Sequence, residues 1–407
     1  MRFLILTQYY APEIGATQVR LGAVARTLRS LGHDVEVLTA LPNYPAGEIF
    51  PAYRGTVYAK EEINGITVHR VWIYPATGSG LERLANYFSF VFLSWLPLLR
   101  ARRPDYIWVD SPPLFISITG YFFAKLVGAK MIFTVADLWP ASVEEMGIVT
   151  NKLILNLAKK LEEWTYRSSY RITAVTDGIY ERLKQRGIPA AKLLKLVNGV
   201  DAQLFHPRPA DEELLEKLHL RGKKVILYAG GLGYAQGLDT VIDAAALLAP
   251  HPEIVFVFIG AGPEKNRLQA RVSQEGLTNV RFLEQASLEY VARLYSLALA
   301  GLTILKDLPL FRGARPSKML PAMAAGVPVI YSGAGEGADL VSRAQAGLVV
   351  RPEDPAALAQ TVLHLARNPE IAGELGRNGR AFAEQHLSWS AIINDWLRQL
   401  LGNGKET

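Results

Sequence analysis

The sequence predicts an α/β protein with two doubly wound domains in tandem, and three observations support this. Short apolar segments alternate with longer amphipathic ones, the alternation starts again after residue 200, and the chain has 407 residues. Continuous apolar strands separated by helices are typical of parallel sheets covered on both faces. A chain of this length is too long for one ordinary core and accommodates two domains of roughly 200 residues each.

The first half alternates between predicted strands and predicted helices. The strands are Phe3–Thr7, Asp34–Thr39, Tyr106–Val109, Lys130–Val135 and Arg171–Val175. The helices are Gln18–Leu31, Leu84–Leu99, Ile116–Val127 and Asn151–Tyr166. We assign residues 1–203 to the first domain, because the following segment up to Pro209 carries two prolines and little periodicity.

The second half repeats the pattern over residues 204–380. Its strands are Lys224–Tyr228, Ile254–Ile259, Val280–Leu283, Leu302–Leu305, Val327–Tyr331 and Gly347–Val350. Its helices are Leu238–Leu248, Leu288–Leu297, Ser317–Ala325 and Pro355–Leu365. Two such domains in tandem are expected to face a cleft between the carboxyl ends of their strands, where ligands usually bind.

The last segment, residues 381–407, is predicted to form a C-terminal helix with one apolar face. That face contains Trp389, Ile392, Ile393, Trp396, Leu397 and Leu400. No strand separates this helix from the preceding one. The sequence leaves two interpretations open, since the helix could cross back to the first domain or complete the second.

The composition excludes several kinds of chemistry. The chain has no cysteine, which excludes a disulfide scaffold, a zinc–thiolate site, an iron–sulfur cluster and a cysteine nucleophile. The 7 histidines show no metal-ligand spacing. We expect neither a metal nor a cofactor, an expectation that the family resemblance described below implies. The apolar run Phe3–Leu6 is too short for a secretory signal peptide, and we expect a cytoplasmic protein.

The positive charge is concentrated in the first domain. The net charge is +6, and residues 1–200 contain 23 Lys and Arg against 16 Asp and Glu. Membrane phosphate, an anionic substrate or nucleic acid could each explain this surplus. Nucleic acid is the weakest of the three, because the basic residues do not interleave with aromatic residues in a recognised module.

The apolar segment Asn86–Leu99 is followed by Arg100, Arg102 and Arg103. At about 14 residues it is too short to span a bilayer, which takes roughly 20. It is either a buried helix with a basic end or an interfacial helix. In the second case the arginines would meet anionic headgroups, with Phe88, Phe90, Phe92 and Trp95 nearby.

Glycine-rich turns follow three of the predicted strands. Gly15 precedes the first helix, Gly231 and Gly233 lie in YAGGLGYAQGLDT, and Gly262 and Lys265 lie in IGAGPEKNRL. Backbone amides in such turns can hold a diphosphate, so the second domain is predicted to bind a nucleotide. The alternative is that these are simply tight turns. The spacing does not match a Walker loop and no Lys-Ser/Thr pair follows, which argues against an ATPase.

Two further segments contain candidate functional side chains. In FRGARPSKMLPAMAAGVPVI, the residues Arg312, Ser317 and Lys318 stand at the start of a helix and could neutralise a diphosphate leaving group. A solvated basic loop is the alternative. In FTVADLWPASVEEMG, Asp137 lies just past a strand end, where a carboxylate could act as a base or hold an acceptor, or cap a turn. Glu144 is a further candidate.

The chain resembles a known family over nearly its full length. The matching segments are YYAPEIGATQVRL, LGHDVEVLTALPNYPAG, DLWPAS, VNGVDAQLF, YAGGLGYAQGLD, IGAGPEKNRL, PSKMLPAMAAGVPVI, GAGEGADLV and GLVVRPEDPAALA. Together they resemble the retaining glycosyltransferases of the GT4 family, which have the GT-B fold of two Rossmann-like domains. DLWP, AQGLD and PSK are most similar to the L-fucosamine transferase-like enzymes of surface-polysaccharide assembly.

The resemblance implies a function and a set of contacts. A nucleotide sugar, commonly UDP-linked, would bind the second domain, and a polyprenyl-linked or glycan acceptor would bind the first, at the inner face of the membrane. The donor diphosphate would contact the Gly15 loop, the Gly231–Gly233 loop and the start of the Ser317–Ala325 helix, without a metal. Arg100, Arg103 and Glu144 are the acceptor-side candidates, and Asp137 is the catalytic candidate.

The chain departs from the family pattern at two places. The two glutamates that many GT4 members carry are replaced by Gly313 and Pro321, and the Arg and Lys of the GR…EKG loop by Gly231 and Gln236. Lys318, Arg312 and Lys265 would then carry the diphosphate charge. The alternatives to an active transferase are a catalytically silent GT-B binding or scaffold protein and a nucleotide-sugar 2-epimerase.

Overall fold

The computed structural model describes residues 1–13, 15–76, 81–98, 102–140 and 151–402. The chain divides into two compact units. Unit 1 comprises Met1–Asn198 together with Ile392–Thr407, and unit 2 comprises Gly199–Ala391. Each unit is built on one largely parallel sheet with helices on its faces, which confirms the predicted α/β class.

The sheet of unit 1 has the strand order β3-β4-β2-β1-β5-β6-β7-β8. Its strands are β1 Arg2–Leu6, β2 Asp34–Ala40, β3 Tyr58–Ile63, β4 Ile66–Val71, β5 Tyr106–Ser111, β6 Lys130–Val135, β7 Arg171–Ala174 and β8 Leu193–Lys195. Neighbouring strands are parallel except for β3, which pairs antiparallel with β4 at the edge.

The β3–β4 hairpin is absent from the sequence prediction, although its turn has a recognisable signature. Asn64 and Gly65 both have positive φ, 51° and 75°. This is the backbone of the two-residue turn that joins antiparallel strands, and an Asn-Gly pair is its strongest sequence signal. The short strand β8 is the other strand of unit 1 that the periodicity did not reveal.

Helices cover both faces of this sheet. They are α1 Ala16–Ser30, α2 Leu81–Leu93, α3 Trp95–Leu98, α4 Ile116–Val127, α5 Lys152–Ser168 and α6 Asp177–Gln185. Phe90 of α2 and Phe123 of α4 pack on the face formed by Leu4 and Leu6 of β1. Residues 141–150, which contain Glu144, and Arg100 lie outside the described residues.

The sheet of unit 2 has six parallel strands in the order β11-β10-β9-β12-β13-β14. They are β9 Lys224–Ala229, β10 Ile254–Ile259, β11 Val280–Leu283, β12 Ala298–Ile304, β13 Val329–Ser332 and β14 Gly347–Val350. The helices are α7 Glu212–Lys217, α8 Asp239–Leu247, α9 Lys265–Gln274, α10 Leu288–Tyr295, α11 Met319–Ala324, α12 Glu336–Arg343, α13 Pro355–Arg367 and α14 Pro369–Phe382. The six strands agree with the prediction in number and order, although β12 begins four residues earlier and β13 two residues later than expected. The helices α7, α9, α12 and α14 were not predicted, and α11 begins two residues later than expected.

The last helix, α15 Trp389–Leu401, returns to unit 1, which resolves the alternatives that the sequence left open. Trp396 is completely buried, its ring centre is 4.5 Å from that of Trp108 in β5, and its Nε1 donates a 3.1 Å hydrogen bond to Thr173 Oγ1 in β7. The apolar face that the sequence suggested therefore covers the first sheet.

A buried ion pair connects the first helix to the centre of the same sheet. Arg20 of α1 donates hydrogen bonds of 3.0 and 2.9 Å to the two carboxylate oxygens of Asp110 in β5. Both side chains are almost fully buried. Burial raises the pKa of Asp110 to about 6, against the opposing effect of Arg20. Such a pair fixes the position of α1, because removal of either partner would leave a buried charge uncompensated.

We expect Trp396→Ala to destabilise unit 1 selectively. The change removes a buried indole and its hydrogen bond, which typically costs about 3–5 kcal/mol. Hydrogen exchange under native conditions would show faster exchange of the amides in β5 and β7, while β9 and β10 of unit 2 keep their protection. Leu401→Ala, at an exposed position of the same helix, is the control and should change neither unit. Equal loss of protection in both units would contradict the prediction.

Candidate functional site

Two glycine loops pack backbone against backbone at the carboxyl edge of the unit 2 sheet. The loop after β9 and the loop after β10 are joined by hydrogen bonds from Leu232 N to Ala261 O (2.9 Å) and from Glu264 N to Leu232 O (3.0 Å). Gly262 has φ of 156°, and a Cβ there would overlap the carbonyl oxygen of Leu232. Only glycine permits this approach.

The loops present free backbone donors. The amides of Gly231 and Gly262 form no hydrogen bond within the part of the chain that the structure describes, and both residues are exposed. The amide of Gly233, in contrast, donates to Gln236 Oε1 at 3.0 Å. The predicted residues Gly231 and Gly262 therefore lie close together with unused N–H groups, an arrangement that suits an anion.

Lys318 lies across these loops. Its aliphatic chain passes directly over Gly230, where a Cβ would overlap Lys318 Cε. Its Nζ is 5.7 Å from the centre of the Tyr228 ring, and the Tyr228 hydroxyl donates a 2.6 Å hydrogen bond to Gly231 O. Burial lowers the pKa of Lys318 to about 8. Among the described residues no carboxylate pairs with this ammonium group.

The other predicted cations of unit 2 have different surroundings. Lys265 Nζ is 2.7 Å from Glu284 Oε1, so this ammonium group already has an acidic partner. Arg312 is exposed, in the short helical turn Pro309–Gly313, and its carbonyl oxygen lies against Gly335 in the loop after β13. Ser317 is half-buried just before α11. The structure thus brings together Lys318 and the glycine loops and holds Lys265 on Glu284.

In unit 1, Gly15 stands at the start of α1 with extended backbone, and no side chain caps this helix. Gln18 folds back over Gly15, where a Cβ would contact its Oε1. The preceding loop is held by Glu13, whose Oε1 accepts hydrogen bonds of 2.8 Å from the amides of Asn43 and Tyr44. Burial raises the pKa of Glu13 despite these hydrogen bonds. The open helix start lies at the carboxyl edge of β1.

Asp137 and Arg103 lie at opposite edges of the unit 1 sheet. Asp137 is exposed and follows β6, which places it at the carboxyl edge. Arg103 is also exposed, but it precedes β5 and is therefore at the amino edge. A strand of six residues separates these edges by about 20 Å. The structure therefore does not bring these two predicted residues together, and Glu144 and Arg100 lie outside the described residues.

The sequence analysis missed a polar cluster at the same carboxyl edge. Arg83, in the first turn of α2, contacts Tyr9, which follows β1, and Tyr87 on its own helix. The only sequence signal was a single arginine at the start of an aromatic-rich helix. Its contact with Tyr9 joins residues 74 positions apart, which local patterns cannot reveal.

The apolar segment around α2 is divided between core and surface. Phe90 is fully buried and Trp95 is half-buried against Phe123, so these two of the four predicted aromatics do not form an exposed face. Leu81 (84% exposed), Phe88 (37%) and Phe92 (69%) do form one, along one side of the helix. No helix in the described part of the chain is long and apolar enough to cross a membrane.

The described residues contain no group of three or more His, Cys, Asp or Glu side chains placed to hold a metal ion.

Comparison with known proteins identifies both units. Residues 15–199 match a model described as "Glycosyl transferase 4-like domain", and residues 210–382 match "Glycosyl transferases group 1". A curated relative from Escherichia coli K12, the putative colanic acid biosynthesis glycosyl transferase WcaI, is 30% identical over 339 residues, which is 80% of this chain and 82% of that protein. Spore coat protein SA of Bacillus subtilis is 27% identical over 94% of this chain and 93% of its own length.

A solved structure with the same fold is Anabaena Alr3699/HepE in complex with UDP and glucose. It superposes with a TM-score of 0.74 at 19% identity, and the match covers 98% of this chain and 99% of that one. This likeness confirms the predicted GT-B fold of two Rossmann-like domains. Neither of the two curated relatives above has a name that specifies a fucosamine transferase.

We expect Gly262→Ala to destabilise unit 2 more than Gly276→Ala does. Both glycines have positive φ, but an added Cβ at Gly262 would overlap a backbone oxygen, whereas nothing lies within 4 Å at Gly276. Gly276→Ala should cost about 1 kcal/mol through backbone strain alone, and Gly262→Ala about 1–3 kcal/mol more. Urea unfolding of the two variants would measure the difference. Equal effects would mean that the two loops can move apart at little cost.

Proposed function

This chain belongs to the GT4, or group 1, glycosyltransferases, and from that premise we propose that it moves a sugar from a UDP-linked donor to a lipid-linked or glycan acceptor. The anomeric configuration would be retained, and the product would belong to a cell-surface polysaccharide. The name of the Escherichia coli relative, which refers to colanic acid biosynthesis, supports the last point. The L-fucosamine transferase-like specificity is supported by the DLWP, AQGLD and PSK motifs alone.

The observation that carries this proposal is the uncompensated Lys318. A partly buried ammonium group without a carboxylate partner is costly, and an anionic ligand would remove that cost. The free amides of Gly231 and Gly262 lie in the two loops beneath its side chain. We therefore assign this position to the donor diphosphate. Its charge grows as the sugar–phosphate bond breaks, so fixed donors stabilise the transition state more than the ground state.

The remaining donor-side candidates rank below Lys318. Gly15 and the open start of α1 would offer further amides, since helix starts favour phosphate groups. Arg312 is exposed without an ion-pair partner in the described chain, and Ser317 precedes α11. Lys265 would first have to leave Glu284. The UDP and glucose bound by the Anabaena protein support a UDP-sugar donor here.

We assign Asp137 to the acceptor. As an exposed carboxylate at the carboxyl edge of the first sheet, it would accept the proton of the attacking hydroxyl or hold that hydroxyl in place. The exposed stripe of Leu81, Phe88 and Phe92 on α2 would let this unit contact the inner face of the cytoplasmic membrane, where a polyprenyl-linked acceptor is available. Because Arg103 lies at the opposite edge, we assign it to membrane contact and not to the acceptor sugar.

Pro321 is the reason to keep a second candidate function. It occupies the third position of α11 and cannot supply the carboxylate that related enzymes place there. A catalytically silent binding protein would explain this residue.

A donor screen tests the proposed function directly. The purified chain is incubated with UDP-, GDP- and ADP-sugars and a membrane extract, and release of the nucleoside diphosphate is measured. We expect UDP release that depends on both the donor sugar and the extract. No release with any donor, together with nucleotide affinity by calorimetry, would favour the silent binding protein. No release and no affinity would reject a nucleotide-sugar function.

We expect Lys318→Ala and Asp137→Ala to separate binding from transfer. Loss of a charge-assisted contact should weaken UDP-sugar binding about tenfold or more in Lys318→Ala. Asp137→Ala should bind the donor normally and lower kcat by about 10²-fold or more. Calorimetry and steady-state kinetics measure the two effects. Lys223→Ala, at the amino edge of the second sheet, is the control for the loss of one positive charge. Equal donor binding by wild type and Lys318→Ala would refute the assignment.

UDP affinity should depend on pH through Lys318. With its pKa lowered to about 8, the free ammonium group is charged below that pH and loses its proton above it. Affinity should therefore be constant near pH 7 and fall by up to about tenfold per pH unit above pH 8, because the ligand binds the charged form. The phosphates of UDP ionise near pH 6, so they do not change in this range. Lys318→Arg should bind without this pH dependence, and a falling profile in that variant would assign the effect to another group.

A further inference from the structure

The described groups that hold Arg83 at the carboxyl edge of the unit 1 sheet are all neutral. Its guanidinium donates to the Tyr9 hydroxyl (2.6 Å), the Tyr87 hydroxyl (3.0 Å), the Ala76 carbonyl oxygen (3.0 Å) and Asn86 Oδ1 (3.5 Å). It also lies over the Tyr87 ring, 4.7 Å from its centre. These contacts fix the orientation of the planar guanidinium. The guanidinium of a solvated surface arginine has no such fixed orientation.

Within the described ranges of the chain, the charge of Arg83 has no counterion. No carboxylate pairs with it among the described residues, and residues 77–80, which precede its helix, contain no Asp or Glu. Arg83 is only half exposed to water. The two fully buried arginines of this unit differ, since Arg20 pairs with Asp110 and Arg70 with Glu61, whereas the half-buried Arg171 lies over the Tyr170 ring.

The cluster of Arg83, Tyr9 and Tyr87 has hydrogen-bond donors that no described residue accepts. A guanidinium has five N–H groups, and the contacts above use four of them. Tyr9 and Tyr87 accept hydrogen bonds from Arg83, but neither hydroxyl donates its own hydrogen within the part of the chain that the structure describes. Burial raises the pKa of Tyr9, so its hydroxyl stays protonated at neutral pH. One N–H and two O–H groups without an acceptor among the described residues thus lie within one cluster that carries a single positive charge.

We propose that Arg83, Tyr9 and Tyr87 form a binding site for a phosphate-type anion, and that this anion belongs to the acceptor. Tetrahedral phosphate oxygens match a set of three converging donors around a guanidinium. Tyr9 follows β1 and Arg83 begins α2, so the site lies at the same edge of the sheet as Asp137. The identification of the anion with the acceptor rests on the proposed function, and it makes the acceptor a lipid diphosphate and not a neutral glycan.

The exposed side of α2 supports this choice of acceptor. Leu81, Phe88 and Phe92 give it an apolar surface that begins in the same helix turn as Arg83, on the opposite side of the helix. From Arg83 to Phe92 the helix rises about 14 Å. A membrane in contact with that surface would place lipid headgroups near the start of α2.

Calorimetry with two soluble probes tests the site. Farnesyl diphosphate represents the acceptor anion and UDP the donor. We expect Arg83→Gln to bind farnesyl diphosphate about tenfold or more weakly while its UDP affinity changes less than about twofold. Lys318→Met should show the reverse pattern. Farnesol, which lacks the diphosphate, should bind wild type and Arg83→Gln equally. Arg167→Gln, at the opposite edge of the sheet, is the control for the loss of one charge.

If Arg83→Gln misfolds, its loss of affinity says nothing about the site. Variants that keep the positive charge or the arginine itself are therefore measured as well. Arg83→Lys should retain part of the affinity for farnesyl diphosphate, and Tyr9→Phe together with Tyr87→Phe should lose several-fold in affinity with the arginine still present. Farnesyl diphosphate affinity that is the same in wild type, Arg83→Gln and the double tyrosine variant would overturn the proposal. So would a parallel loss of UDP and farnesyl diphosphate binding in Arg83→Gln.

The same measurements separate this site from the proposed function. If wild type binds farnesyl diphosphate through Arg83 but binds no nucleotide, the transferase proposal fails and the anion site stands. If wild type binds UDP and releases it during transfer, but Arg83→Gln is indistinguishable from wild type with both probes and in the KM for a lipid-linked acceptor, the anion site fails and the transferase proposal stands.

Discussion

The close contact between the two glycine loops of unit 2 is the constraint on which the donor side of this protein depends. The carbonyl oxygens of Gly230 and Leu232 occupy the space where Gly260 and Gly262 would carry side chains. This contact leaves the amides of Gly231 and Gly262 without an acceptor among the described residues, and it leaves room for Lys318 to pass over Gly230. Any side chain at these positions would separate the loops and displace the lysine, so the backbone geometry and the placement of the charge cannot be altered independently.

The cations of this protein differ more in their partners than in their exposure. Arg20 and Lys265 face carboxylates, and such pairs have a structural role because each charge is neutralised within the fold. Lys318 lies against an aromatic ring and glycine backbone, and Arg83 is surrounded by hydroxyl, carbonyl and amide oxygens. Neutral dipoles orient a cation without neutralising it, which leaves the charge available to a ligand. The surplus of Lys and Arg in the first domain does not reveal this distinction, because cations paired with carboxylates and cations held by neutral groups contribute equally to it.

The sequence predicted those features that local patterns determine. The six strands of the second sheet are continuous apolar runs, and the glycine turns follow directly from them, so both the sheet and the position of Gly231 and Gly262 could be inferred. Lys318 could be proposed from its neighbours, but its lack of a partner and the pairing of Lys265 with Glu284 depend on three-dimensional packing. Arg83 could not be predicted, since its significance comes from Tyr9, 74 positions away. The destination of α15 was ambiguous because an apolar helix face does not specify which sheet it covers.

The packing of the last helix on the first sheet affects the order in which the two units can fold during translation. Trp396 fills a position between Phe3, Trp108 and Thr173, so the first sheet lacks a core residue until the segment that follows unit 2 has been synthesised. All of unit 2, residues 199–391, is synthesised before Ile392. The usual order, in which the N-terminal domain folds first, is therefore inverted for the final step. A nascent chain that ends just after Ala391 would carry a finished second unit attached to an open first one, with the apolar surface around Trp108 exposed to chaperones and proteases.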